Sequence, residues 1–270
     1  MVVDSKNIEA RVLDWLAMQD DAVEVYRAFD AGQGPDVYCV MAEKIYKRVI
    51  TKEKDPTERQ VGKYAKLSLG YQSGAERFQE TVRIESAKGG DPISIDALTS
   101  TTIVEIYRKN HPQVKLLWNR AQNALGALMG GPDGEKYLDP HNLLEIEQGA
   151  IVLPNGLRIR YPELSFDTAT KWSFRSNRGE RTNLYGGKVI ENVVQALARI
   201  IVLDQTLEIH KHTPCRMSIH DEGVFLVPKG AGAEWLEYAK GVMSQPPSWA
   251  PDLPVAASGG VAQRYGEVEK

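Results

Sequence analysis

The stretch Cys215-Arg-Met-Ser-Ile-His220-Asp221-Glu222-Gly-Val-Phe-Leu-Val-Pro228 places a histidine and two adjacent carboxylates between two apolar-containing segments. The pattern, bounded by Pro228, predicts a β-hairpin whose turn carries the acids. Two anions at one tight turn repel each other, so such a turn is either well solvated or holds a cation. Mg²⁺ takes one or two protein carboxylates and leaves its other positions to water and phosphate oxygens. The hairpin is therefore a candidate Mg²⁺ site, and a second acidic strand end would favour that interpretation over a solvated turn.

The N-terminus supplies such a strand end. Met1-Val-Val-Asp4 predicts a short buried strand, and the segment from Ser5 to Leu16 has helical periodicity. Asp4 is then a carboxylate at the end of a strand, and Glu9 lies on the first turn of the next helix. The alternative is that Asp4 or Ser5 caps this helix and Glu9 interacts with its dipole. The two interpretations are compatible.

Composition sets the class. A chain of 270 residues with 42% hydrophobic content can bury a core as one large domain or two lobes. It has no run of 18 apolar residues and no signal-peptide pattern, so we predict neither a membrane span nor secretion. Its two cysteines, Cys39 and Cys215, lack CxxC spacing and are typical of a reducing compartment. We therefore expect a cytoplasmic location.

Charge is segregated along the chain although the net charge is only −3. Residues 44–66 contain eight basic and three acidic side chains, and residues 171–188 contain five basic side chains against Glu180. Such clusters are typical either of phosphate-facing surfaces or of ordinary solvated faces.

The first basic cluster contains a strong helix start, Asp55-Pro56-Thr57-Glu58. It predicts an Asx cap, proline at the first helical position and glutamate at the third. Arg59, Lys63, Leu67 and Tyr71 follow at steps of four and would line one slowly winding stripe of that helix. Two cations and an aromatic ring suit a triphosphate with its base, although such a stripe is also typical of an exposed face.

Other patterns predict ordinary structure. Helices are predicted over 37–49, 101–108, 114–128 and 189–207, a hairpin over 151–161 with an Asn155-Gly156 turn, and a loop over 130–134. His210 and His212 are two apart near a helix end, which predicts surface histidines and not a metal pair. The tail from Gln245 predicts an extended strap.

Three motifs carry a resemblance to a known family. Val3-Asp4-Ser-Lys-Asn-Ile8-Glu9-Ala-Arg11 resembles the first polymerase motif of the family A DNA polymerases. Arg59-x3-Lys63-x7-Tyr71 resembles their fingers-helix motif, and His220-Asp221-Glu222 resembles their last palm motif. The three occur in the expected order, and the sequences at 62–71 and 246–254 are similar to the bacteriophage and prophage branch.

The resemblance implies an α+β fold, an antiparallel palm sheet with a mainly helical fingers subdomain. It implies palm over 1–30, fingers over 31–150 and palm again over 151–270. Because the first motif begins at residue 3, we expect a partial polymerase right hand with no thumb or exonuclease domain. A separate N-terminal polymerase portion is then a candidate partner, in a bacterial or phage-infected host cell.

The resemblance also implies a chemistry: two-metal transfer of a deoxynucleoside triphosphate (dNTP) onto the primer 3′-hydroxyl of primer-template DNA, with two Mg²⁺ ions. The implied metal ligands are Asp4, Asp221 and the carbonyl of Ser5, with Glu222 as an outer carboxylate. The implied nucleotide contacts are Arg59 and Lys63 to the phosphates, Tyr71 and Leu67 near the base, and Glu9 against the sugar 2′ position. Lys63 would also protonate the leaving group.

The DNA contacts implied by the family are Gln195, Asn192, Lys188 and His220. For Asn192 and Gln195 a satisfied polar helix face is an equally good interpretation. The chain departs from the family at Ser5, Asn7 and Leu67, and Gln72 stands where a glycine usually follows the tyrosine. Two alternatives stay open: a catalytically incompetent remnant that only binds nucleic acid or serves structurally, and an RNA polymerase, which Glu9 disfavours.

Overall fold

The computed structural model describes residues 1–131 and 135–268, so the predicted loop over 130–134 lies partly outside the described residues. The helices in chain order are α1 Ile8–Leu16, α2 Asp20–Asp30, α3 Val37–Tyr46, α4 Pro56–Leu69, α5 Ala75–Lys88, α6 Ala97–Asn110, α7 Pro112–Leu128, α8 Gly186–His210 and α9 Gly232–Met243. The strands are β1 Val2–Ser5, β2 Glu145–Glu147, β3 Ala150–Val152, β4 Arg158–Arg160, β5 Ser165–Asp167, β6 Lys171–Arg175, β7 Arg181–Asn183, β8 Cys215–Ile219, β9 Glu222–Phe225 and β10 Ala257–Gly260. All strand pairs are antiparallel, which confirms the predicted α+β class.

The chain divides into two compact units. One contains Met1–Val12 and Val194–Lys270, and the other contains Leu13–Val193. These limits differ from the changes at 30 and 150 implied by the resemblance, so the palm and fingers limits stay a prediction.

The first unit is built on a four-stranded sheet of order β10-β1-β9-β8. Val2 and Val3 are buried because β1 is an inner strand, paired with β9 on one side and β10 on the other. The predicted hairpin is confirmed as β8 and β9 joined at His220 and Asp221, but Glu222 is the first residue of β9 and does not lie in the turn. The prediction for the tail is corrected. The segment from Gln245 includes β10, an edge strand that pairs with β1.

The second unit contains the helices α2 to α7 and two small sheets, β2-β3-β4 and β5-β6-β7. The predicted Asn155-Gly156 hairpin is confirmed, since Gly156 has φ +82 and joins β3 to β4. No described helix is both long and apolar enough to cross a lipid bilayer.

Two helix predictions in this unit need correction. Asp55 occupies the N-cap position of α4, as predicted, but its side chain makes no capping hydrogen bond, because its carboxylate pairs with Arg48 at 2.6 Å and accepts from the amide of Thr51 at 3.0 Å. Helix α3 ends at Tyr46 and not at 49, because Lys47 adopts a left-handed conformation with φ +56.

A buried charged cluster lies in the core of the second unit. Lys66, on α4, lies 2.7 Å from Asp14 Oδ2 and donates to His111 Nε2 at 2.9 Å. Tyr26 donates to the same carboxylate oxygen at 2.9 Å. Because only 2% of Lys66 is exposed, this member of the basic cluster over 44–66 is not part of a phosphate-facing surface.

Candidate active site

Strand β1 pairs with β9, and this pairing brings the acidic residue of β1 next to those of the β8–β9 hairpin. Asp4 lies directly opposite Glu222, and the amide of Ser5 donates to the carbonyl oxygen of Asp221 at 3.0 Å. Opposed residues of an antiparallel pair have Cβ atoms about 4.5–5.5 Å apart. The ladder therefore places the acidic end of β1 beside the acidic turn of the hairpin.

The three carboxylates differ in exposure. Asp4 and Asp221 are half-buried, whereas only 4% of Glu222 is exposed. Asp4 and Asp221 are thus partly accessible to solvent, and Glu222 lies deeper in the sheet.

The donor set can be tested against the metal that the resemblance implies. Among the described residues no three histidine, cysteine, aspartate or glutamate side chains are grouped so as to hold a metal ion. A zinc site or a calcium cage needs more protein ligands than two carboxylates. Mg²⁺ needs only one or two carboxylates, with water and substrate phosphate completing its shell. Asp4 and Asp221 supply the type of oxygen donor that Mg²⁺ takes.

A side chain outside the predicted set holds the turn that carries Asp221. Arg199, on α8, donates from Nη1 to the carbonyl oxygen of His220 at 3.0 Å and to Ser218 Oγ at 3.3 Å. His220 itself is exposed and has φ +50. The signal for Arg199 was its position four residues after Gln195, which puts the two on one helix face.

Glu9 lies in the first turn of α1, as predicted. The helix begins at Ile8, and Asp4 and Ser5 belong to β1. The alternative in which Asp4 or Ser5 caps this helix is therefore wrong.

The cationic face of α4 is partly anchored. Arg59 donates from Nε to Asp36 Oδ2 at 2.7 Å, and its guanidinium lies 5.3 Å from the ring centre of Tyr38. Asp36 in turn caps α3 by accepting from two backbone amides. Lys63 is half-buried, with no carboxylate at ion-pair distance among the described residues.

The aromatic end of the predicted stripe is corrected. Helix α4 ends at Leu69, and Tyr71 lies in the turn that follows because Gln72 adopts φ +68. Leu67 remains on the helix and is half-buried.

The candidate DNA-contacting residues lie on α8 and at the hairpin turn. Lys188 pairs with Glu191 at 2.9 Å, and Gln195 is exposed. Asn192 donates to the hydroxyl of Tyr161 at 3.2 Å, and burial raises the pKa of that tyrosine to about 12. This contact satisfies one donor of Asn192, as in the polar-face interpretation.

The sheet with its paired acidic strand ends and the helix that carries Arg59 and Lys63 are the two structural features that the sequence motifs predicted. The chain is 29% identical, over 280 aligned residues, to a protein described as a DNA polymerase of Bacillus phage SP02, covering 98% of this chain and 40% of that protein. The structure matches the POL domain of Pol1 from M. smegmatis, solved in complex with DNA primer-template and dNTP, with a TM-score of 0.61 at 17% identity. That match covers 96% of this chain and 38% of the solved chain.

The chain thus spans about two fifths of the length of the curated relative. No protein-family model matches it. The structural likeness shows a shared fold, and the sequence relative is a phage protein. Together they confirm the resemblance to the C-terminal palm and fingers portion of the family A DNA polymerases.

Proposed function

We propose that this chain carries a polymerase active centre and adds dNTPs to a primer 3′-hydroxyl under the direction of a DNA template. The observation that carries the proposal is the ladder that sets Asp4 opposite Glu222 and Ser5 beside Asp221. Buried or half-buried anions gathered at neighbouring strand ends repel each other, and bound cations offset that repulsion. The descriptions of the two relatives, a DNA polymerase and a polymerase domain bound to primer-template and dNTP, support the same chemistry.

In this proposal Asp4, Asp221 and the carbonyl of Ser5 hold two Mg²⁺ ions. When bound, Mg²⁺ supplies a lower pKa for the attacking hydroxyl and charge neutralisation on the leaving pyrophosphate. Glu222 contributes negative charge from its position opposite Asp4. Arg199 keeps the turn in place, since it holds the main chain next to Asp221.

The cations of α4 bind the triphosphate. Lys63 has no carboxylate partner among the described residues, so its ammonium is available to the β and γ phosphates and to the leaving group. Arg59 is held at Nε by Asp36, so a phosphate would be bound by its terminal nitrogens. A guanidinium fixed in advance loses less side-chain entropy on binding.

The remaining candidate residues select and hold substrates. Glu9 opposes a 2′-hydroxyl on the incoming sugar, and Tyr71 with Leu67 lies near the base. DNA is contacted by Lys188, Asn192, Gln195 and His220. We assign 1–30 and 151–270 to the palm and 31–150 to the fingers on the same basis.

We further propose that a polymerase portion outside this sequence helps to hold the duplex. The chain spans 40% of the length of its curated relative, so that relative has residues with no counterpart in this sequence. The two would act where phage or bacterial DNA is copied, in the cytoplasm of the cell.

The test is single-nucleotide incorporation on four primer-templates that differ only in the templating base. With Mg²⁺ present, the chain alone or mixed with the N-terminal portion of the phage relative is expected to add only the complementary dNTP. EDTA is expected to abolish the reaction. Primer-template binding without incorporation in either mixture would contradict the proposal and identify a non-catalytic remnant.

A further inference from the structure

The turn that carries Tyr71 is held at three of its residues by three different helices. The indole of Trp118, on α7, donates to the carbonyl of Gly70 at 2.7 Å. Arg108, on α6, donates to the carbonyl of Ser73 at 3.3 Å. Between them, Gln72 Oε1 accepts from the backbone amide of Gly187, on α8, at 2.9 Å. A turn with three long-range anchors is fixed in position although it lies outside any helix.

Gln72 holds an unfavourable backbone conformation at the centre of this turn. Its φ of +68 lies in the left-handed region, which glycine adopts without steric cost and other residues rarely do. A glycine here would relieve the backbone but would have no side chain to reach Gly187. The Gln72 side chain therefore makes a hydrogen bond that glycine, the residue favoured in this conformation, could not make.

The Gln72 side chain accepts a hydrogen bond from a backbone amide at the start of α8. The first amides of a helix lack intrahelical partners, and the amide of Gly187 is one of these in α8. The preceding amide, of Gly186, donates to Gln122 Oε1 at 2.9 Å. Two glutamine side chains, one from the Tyr71 turn and one from α7, thus cap α8.

The backbones are also in direct contact at this point. A Cβ atom on Gly187 would lie 2.4 Å from the Cβ of Gln72 and 2.6 Å from the carbonyl oxygen of Tyr71. Only glycine permits this approach. Lys188, the next residue of α8, is a candidate DNA contact, and Tyr71 is a candidate nucleotide contact. The packing of Gly187 against Gln72 and Tyr71 therefore links the two candidate sites.

We propose that Gln72 is a positioning residue: its amide ties the turn of Tyr71 to the first turn of α8 and thereby fixes where the Tyr71 ring lies. The inference rests on the proposed function for the role of Tyr71. The tie itself, between Gln72 and Gly187, does not depend on activity.

Three substitutions separate the side-chain bond from the backbone conformation. Gln72→Gly relieves the left-handed backbone and removes the bond, and Gln72→Ala removes the bond alone. Gln72→Glu keeps an acceptor oxygen at the same reach, next to a helix N-terminus that favours negative charge. Gln33→Ala, at an exposed loop position, is the matched control.

Hydrogen exchange of the full chain, followed by mass spectrometry, reads the tie directly. Loss of one neutral hydrogen bond is expected to speed exchange in peptides covering 70–73 and 186–190 by about three- to tenfold. We expect this in Gln72→Ala and Gln72→Gly and not in Gln72→Glu or Gln33→Ala. Unchanged exchange in both Gln72→Ala and Gln72→Gly overturns the inference, whatever the activity of the chain.

Kinetics then test the consequence for the nucleotide. Gln72→Ala and Gln72→Gly are expected to raise KM for the dNTP by about tenfold, because each loses the neutral hydrogen bond that positions Tyr71. The change in kcat is expected to be smaller. Gln72→Glu is expected to restore KM. A Gln72→Gly variant with wild-type KM would show that the side-chain hydrogen bond of Gln72 is not needed and would overturn the positioning role. Absence of incorporation by the wild-type chain would instead count against the proposed function and leave the exchange result standing.

Discussion

Arg199 donates a hydrogen bond of 3.0 Å to the main-chain carbonyl of His220, so a side chain of α8 holds the turn that presents Asp221. The same guanidinium nitrogen reaches Ser218 Oγ on the preceding strand. His220 has φ +50, an uncommon conformation for a residue other than glycine. The acidic turn is therefore supported from outside the hairpin.

Arg199→Ala should weaken this support without unfolding the chain. Arg199 is exposed, and surface substitutions usually change stability by less than about 0.5 kcal/mol. We expect the incorporation rate to fall by about tenfold, as for the loss of one hydrogen bond from a charged donor. The measurement is single-turnover incorporation, with the exposed Arg216→Ala on β8 as the matched control. Equal rates for Arg199→Ala and the wild type would show that the turn needs no such support.

Glu9→Ala tests sugar selection. A carboxylate that opposes the 2′-hydroxyl rejects ribonucleotides by steric and polar conflict, so its removal should raise relative ribonucleotide incorporation by about tenfold or more. The measurement is the ratio of kcat/KM for a dNTP and its ribonucleotide. Glu234→Ala is the control, since Glu234 also lies in the first turn of a helix, α9. Unchanged selectivity would leave Glu9 as a helix-terminal carboxylate only.

His111 should make stability depend on pH. Burial, together with the nearby charge of Lys66, lowers its pKa to about 2, and its Nε2 accepts from that ammonium. The unfolded histidine binds a proton below about pH 6.5 and the folded one does not, so the free energy of unfolding falls by about 1.4 kcal/mol for each pH unit below that value. Above about pH 6.5 the group has no effect on the slope.

His111→Gln should remove this contribution. We expect its free energy of unfolding to vary less steeply between about pH 6 and pH 4, by about 1.4 kcal/mol per unit, than that of the wild type. Urea denaturation at several pH values measures the difference, and His111→Asn serves as a second variant if the first is unstable. Parallel pH profiles for wild type and variants would contradict a neutral buried imidazole.

The chain alone should hold primer-template weakly. Each phosphate neutralised contributes about 0.9 to the slope of log K against log salt on duplex DNA, so a partial binding surface gives a shallow slope and low affinity. We expect distributive synthesis by the isolated chain and a steeper salt slope with higher affinity when the N-terminal portion of the phage relative is added. Processive synthesis by this chain alone at physiological salt would show that no second portion is needed.

Much of the acidic part of the site could be predicted from the sequence. Local signals are strong at both of its strands: alternation and Pro228 define the hairpin, and the apolar Val2-Val3 pair before Asp4 defines β1. The ladder between them depends on long-range pairing, and only the resemblance of the motifs predicted it. The Asn155-Gly156 hairpin was predictable for the same local reason, its turn chemistry.

The remainder depended on tertiary contacts that local patterns do not encode. Steps of four placed Tyr71 on α4, but Gly70 and the left-handed Gln72 end that helix first. The sequence at Asp55 predicts a side-chain cap, but the Asp55 carboxylate pairs with Arg48 instead. Lys66 was counted with the surface cations because the burial of a lysine requires partners, Asp14 and His111, that are distant in sequence. The strand β10 was missed because its Ala-Ser-Gly-Gly sequence has low strand propensity.

The most direct test of the central claim is the single-turnover incorporation rate of Asp4→Asn and Asp221→Asn in the most active mixture found. Each substitution preserves shape and removes one negative charge from the proposed Mg²⁺ site, so we expect the rate to fall by at least about 100-fold, a typical cost of losing one electrostatic stabiliser. Asp204→Asn, at an exposed position of α8, is the matched control and should keep the wild-type rate. A wild-type rate in either Asp4→Asn or Asp221→Asn, with correctly folded protein, would contradict the account.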